Sequence, residues 1–120
     1  MRGEAQFLFD ILDCAAAIQT FAHGKTLLDF QTDDQFRSAV LMKLFIIGEA
    51  VAHLSGATTD GYPEIPWQTI KAFRNFIAHH YFRLRNDILW DSATMRVPEL
   101  AAKVEEILRN EFPGAEPEHH

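Results

Sequence analysis

Within the ten residues from Phe73 to Phe82 the chain places Arg74, His79 and Tyr81 in order along a mostly apolar run. A histidine, with an ordinary pKa of about 6.5, can take a proton from a ribose 2′-hydroxyl or give one to a leaving 5′-oxygen near neutral pH. An arginine stays charged and can hold two phosphate oxygens while negative charge builds on them. These types suit cleavage of a phosphodiester, and the set requires no metal. The local charge agrees. Between Ile65 and Asn86 the chain carries Lys71, Arg74, Arg83 and Arg85 and no carboxylate, a window of +4 in a protein of net charge −6. The asymmetry points to an anionic substrate met at one place, because a net negative chain does not coat nucleic acid or anionic membrane through charge alone.

Helical geometry constrains how these groups can meet. Arg74 and Tyr81, seven residues apart, fall on nearly the same face of a helix, and Asn75 and His79 make a second such pair one turn apart. Arg74 and His79 are five apart, about 140° around the axis, and do not converge on one phosphate from one ideal helix. Either the helix ends or distorts near His79, or two copies of the motif meet across a dimer. The second arrangement, helped by a local break, is the better one, and two histidines from two protomers could then divide the acid and base roles. By spacing alone, a solvated face or an ion pair explains an Arg and a His better than catalysis does, and His80 reads as a surface residue. Glu49, set within Ile46-Ile47-Gly48-Glu49-Ala50-Val51, needs a partner, and Arg74 or another arginine is the expected one.

Other chemistries fit less well. His53, His79 and His80 have no matching cysteines or carboxylates at zinc-like spacing, and the terminal His119 and His120, which resemble the remnant of a purification tag, are set aside. No glycine-rich phosphate loop and no serine in a nucleophile-elbow context is present, and no cofactor is expected. The single cysteine, Cys14, cannot form an internal disulfide and reads as a buried thiol in a reducing compartment. The N-terminus lacks a signal-like apolar run, and no stretch is read as reaching the roughly 18 to 20 apolar residues that cross a bilayer. The expectation is a cytoplasmic protein without a membrane partner.

The elements that must position the motif follow from periodicity. A length of 120 residues suits one domain, residues 1–112, followed by a polar tail, 113–120, expected to be flexible. Phe7, Leu8, Ile11, Leu12, Ala15, Ile18 and Phe21 recur at helical steps, and Gly24 is the expected stop. Thr32-Asp33-Asp34-Gln35 reads as a capping box opening a central helix through Val40, Leu44, Ile47, Val51 and Leu54. Pro66 is expected at the first position of a third helix, which carries the motif near its far end. A further helix runs over roughly Asn86 to Met95, and Pro98 opens or kinks the last one. With no strand-type alternation, the reading is an all-α bundle of four or five helices.

The chain resembles the HepT-like toxins of the HEPN superfamily over nearly its whole length. The resemblance rests on Phe9-Asp10-Ile11-Leu12, Ile46-Ile47-Gly48-Glu49-Ala50-Val51, Tyr62-Pro63-Glu64-Ile65-Pro66-Trp67, Arg74-Asn75-Phe76-Ile77-Ala78-His79-His80-Tyr81-Phe82 and Ile88-Leu89-Trp90-Asp91. Phe73 and Phe76-Ile77-Ala78 depart from the usual pattern by apolar exchanges that leave the polar motif intact. The resemblance implies a homodimer whose Arg and His line a cleft at the interface and cut RNA, tRNA or mRNA among the candidates, without metal. It makes Arg74 and His79 the catalytic pair, with Asn75, Tyr81 and Glu49 in support and Lys71, His80, Arg83 and Arg85 as RNA contacts. It also implies a toxin–antitoxin role, in which a minimal nucleotidyltransferase antitoxin neutralises the protein by transferring AMP to Tyr81. The alternatives are a non-catalytic HEPN nucleotide-binding or docking module for a nucleotidyltransferase partner, or a non-catalytic dimeric helical adaptor.

Overall fold

The computed structural model describes residues 3–118, and no strand occurs among them. The fold is all-α, as the missing strand periodicity implies. Four helices longer than a dozen residues make the bundle: α1 (Glu4–Ala22), α3 (Asp34–Ala52), α5 (Trp67–His79) and α7 (Val97–Glu111). Short helices join them, α2 (Leu27–Thr32), α4 (Gly56–Thr59) and α6 (Asn86–Asp91). The chain leaves α1 through Gly24, whose φ of 72° lies in the left-handed region that glycine enters without a Cβ clash.

The capping box lies one helix earlier than expected. Thr26 accepts from the Asp29 amide while the Asp29 carboxylate accepts from the Thr26 amide, and this box opens α2. Thr32 is the last residue of α2, so its backbone is helical and its hydroxyl donates back to the Leu28 carbonyl at 2.8 Å. Asp33, in extended conformation, caps α3 instead by accepting from the Phe36 amide at 3.1 Å.

α3 is central, packed by α1 on one side and by α5 on the other, while α7 closes the bundle against α1. Leu8, Ile11 and Ile18 of α1, Val40, Leu41 and Val51 of α3, and Val104 and Ile107 of α7 are fully buried between them. Phe30, Phe36 and Trp90 form an aromatic cluster with ring centroids 5.4 to 5.9 Å apart, which ties α2 and α6 to the start of α3. Cys14 is buried among these groups, and burial pushes its thiol above the ordinary range. α1 also corrects the reading of apolar length, because by length and composition it suffices to cross a membrane. Its apolar face, however, is spent on α3 and α7 within the bundle.

The helix expected to reach Met95 is α6 up to Asp91, then a widened π-type turn over Ser92–Arg96, running directly into α7 with Pro98 in its first turn. Pro98 has no amide hydrogen for the carbonyl four residues back, and its ring would crowd that carbonyl, so the ladder loosens just before it. The tail lies against α1: Gln6 donates to the Glu116 carbonyl at 3.0 Å and accepts from the Glu118 amide at 2.9 Å. His119 and His120, set aside above, lie outside the described residues.

Candidate active site

α5 is fixed at its start by Trp67, whose indole nitrogen donates to the carbonyls of Thr59 and Tyr62, both at 3.1 Å. Pro66 occupies the capping position just before the helix rather than its first residue. Midway along, α5 crosses α3 at Gly48. A Cβ added there would overlap the Arg74 Cβ and lie 3.1 Å from its Cγ, so only glycine admits the crossing. This contact sets Arg74 against α3. Its Nη1 faces the Glu49 carboxylate at 3.3 Å, while its Nε and Nη2 donate to the Asn75 side-chain carbonyl at 3.2 and 3.0 Å. The guanidinium is thereby held in place, and one N–H on each terminal nitrogen remains for two oxygens of an anion. The Arg74 and Glu49 side chains are 22% and 45% exposed, so solvent screens the pair and its worth is geometric more than energetic.

α5 stops at His79. His80, at φ −131° and ψ 31°, has left the helix, and Tyr81–Arg83 form a tighter 3-10 turn closed by the Arg83 amide donating to the His80 carbonyl at 2.8 Å. His79 and His80 are both exposed, and the His80 ring lies 4.8 Å from that of Phe76. The break near His79 is the one expected, and it takes Tyr81 off the helical face that an unbroken helix would have it share with Arg74. The Tyr81 hydroxyl instead sits 2.9 Å from Ser38 Oγ, and the Arg37 guanidinium lies over its ring at 5.3 Å. Arg37 in turn donates to Asn86 at 2.7 Å. Ser38 and Glu49 are eleven residues apart on α3, roughly 16 Å along its axis, so phenol and guanidinium are held at separate levels of one helix.

The remaining basic residues divide. Lys71 is half-buried one turn before Arg74 and Asn75, and Arg83 is exposed in the turn after the break. Arg85 binds Asp87 through two hydrogen bonds, the shorter 2.7 Å, and this donation holds the Asp87 carboxyl below the usual range. Among the described residues no group of three or more His, Cys, Asp or Glu is arranged to hold a metal ion. A groove of about 690 Å³ between α3, α5 and α7, lined by Leu44, Ile47, Ile70, Phe73 and Leu100, includes none of the motif's polar residues. Within the motif Asn75, His79 and His80 are exposed in the single chain, while Arg74 and Tyr81 are half-buried.

Residues 11–107 match the sequence profile of the family described as Ribonuclease HepT-like. The chain belongs to the HepT-like ribonuclease family. It is 35% identical over 104 residues to the Methanocaldococcus jannaschii protein named "Putative RNase MJ0127", covering 87% of this chain and 86% of that one. It is 34% identical over 112 residues to "Putative RNase TTE0752" of Caldanaerobacter subterraneus subsp. tengcongensis, covering 92% and 99%. With "Probable ribonuclease HepT" of Thermococcus cleftensis it shares 30% over 106 residues, 88% and 96% of the two chains. No solved structure matches it significantly. In this HepT-like chain, Gly48, Ser38, Arg37 and Asn86 position the motif and were not singled out from sequence. A glycine inside an apolar helix is a recognisable sign of close backbone approach, whereas nothing in the spacing of Arg37 and Ser38 connects them with a tyrosine more than forty residues away.

Proposed function

We propose that this HepT-like protein is the toxin of a toxin–antitoxin pair, a homodimeric endoribonuclease that cuts RNA without metal through Arg74 and His79. The observation that carries the reading is the end of α5 at His79, with Arg74 already fixed by Glu49 and Asn75. An anchored cation and an exposed imidazole at a helix end are the two groups that a phosphodiester cleavage by acid–base chemistry needs. On one helix they lie about 140° apart around the axis, so the reading uses two copies, with Arg74 of one protomer and His79 of its partner meeting at a cleft. Lys71 and Arg83 flank the pair in sequence and add positive charge for the RNA backbone, with His80 as a further contact.

AMP transfer from a nucleotidyltransferase antitoxin to Tyr81 would place a phosphate close to Arg37 and the exposed end of α5, adding bulk and negative charge where RNA arrives. His79→Ala and Arg74→Ala should each lower cleavage by about 100-fold or more with unchanged helical circular dichroism. A chelator should leave the wild type unaffected. Tyr81→Phe should abolish the added AMP mass after co-expression with the antitoxin. Full cleavage by the His79 variant would overturn the catalytic reading. The pairing of Arg74 with Glu49 favours one second reading, a docking module whose arginine is held for binding alone, for which the same assay would show RNA or nucleotide bound but never cut.

A further inference from the structure

Phe82 is 97% exposed, far beyond the other outward apolar side chains, Phe76 at 49% among them. Its turn is closed by the Arg83 to His80 backbone bond, and its ring meets the Tyr81 ring edge to face, with centroids 5.4 Å apart and planes at 82°. Tyr81 is itself held by Ser38 and by Arg37. A phenyl ring thus stands in water close in sequence to His79, His80 and Arg83, in the window that contains no carboxylate. Phe82 is three positions after His79, so their Cα atoms lie within about 11 Å.

We infer that Phe82 is a stacking platform for an unpaired nucleobase next to the phosphate handled by Arg74 and His79. The inference rests on the ribonuclease reading. Arg83, next in sequence, and Arg37, over the Tyr81 ring, favour a nucleic acid over an apolar protein partner, because the backbone of a bound strand would meet these cations beside the ring. A duplex cannot supply the base. In a paired RNA helix the bases are stacked on one another, and an aromatic side chain reaches only bases splayed out of loops, bulges and ends.

The test uses the intact protein carrying His79→Ala, so that bound RNA is not cut, and a mixed-sequence single-stranded oligoribonucleotide with its duplex as probes. Phe82→Leu, which keeps an apolar side chain, should weaken binding of the single strand roughly tenfold or more. Phe82→Trp should retain that binding and acquire fluorescence, over the background of Trp67 and Trp90, that the single strand quenches and the duplex does not. Equal binding by the Phe82→Leu protein overturns stacking, and so does a loss of binding that sedimentation traces to dissociation of a dimer, since the ring then serves a protein contact. Wild type that cuts RNA with the same KM as Phe82→Leu removes the stacking role and spares the nuclease. Phe82-dependent binding by a wild type that cuts nothing supports stacking and removes the nuclease.

Discussion

Asp87 takes two hydrogen bonds from Arg85 and so withholds one of the four cations of the basic window from any RNA. Asp87→Asn should release it: affinity for single-stranded RNA should rise, and the plot of log affinity against log salt should steepen by about 0.7. Titration of oligonucleotide at several salt concentrations reads both effects. The same pair has a pH signature. Because the folded carboxyl sits below its unfolded value, its contribution to stability is present above the unfolded value and is lost as pH falls through the lowered folded one. Arg83, with no acidic neighbour before Asp87 in sequence, should show the reverse pattern, its substitution by alanine flattening the salt dependence.

The element that decides the site is the crossing of α3 and α5. Gly48 brings the two backbones close enough for Arg74 to reach Glu49, and the same crossing carries Ile77 into the core. Gly48→Ala should favour α3 as an isolated helix, since alanine is the better helix former by about 1 kcal/mol. In the fold the new methyl meets the Arg74 Cβ, which cannot swing aside as a side-chain tip would. The helices must separate, at a cost of about 1 to 3 kcal/mol. Thermal unfolding should therefore show a lower midpoint, and cleavage by the folded fraction should fall by up to about 100-fold as Arg74 is displaced. Unchanged stability would mean that α5 can slide at this point. The other end of α5 is set by different forces, with Tyr81 drawn to Ser38 and Arg37 after the helix stops.

At the scale of the molecule, one chain leaves Met42 of α3 at 58% exposure, Phe76 at 49% and His79 and His80 exposed. Two chains joined across such faces would bury them and bring the motifs together. Sedimentation should show a dimer at micromolar concentration. A sharper experiment mixes Arg74→Ala with His79→Ala protein under exchange: if each site takes its arginine from one chain and its histidine from the other, a mixed dimer has one intact site. Activity should then recover to roughly a quarter of wild type, because half of the dimers carry one of two sites. No recovery would place both groups of a site in the same chain.

The all-α class, the four long helices and the placement of the motif near the end of its helix were legible because each depends on local rules, namely apolar spacing, glycine and proline positions and the absence of strand alternation. The partner of Glu49 was legible too, since a carboxylate in an apolar run requires a cation and Arg74 was the near candidate. Local rules misplaced the capping box, because Thr32 satisfies the same pattern as Thr26 and only the path of the chain decides which of them is still helical. They also put Tyr81 on the face of Arg74, as an unbroken helix would. The break near His79 was expected from the Arg-to-His spacing, but Tyr81 meets Ser38 of α3, some forty residues earlier in the chain, and no spacing within the motif encodes a contact of that range. The sequence by itself determined which chemical groups are present and on which element. Tertiary packing decided where they point, because a side chain's direction at the end of a helix is set by its neighbours in space.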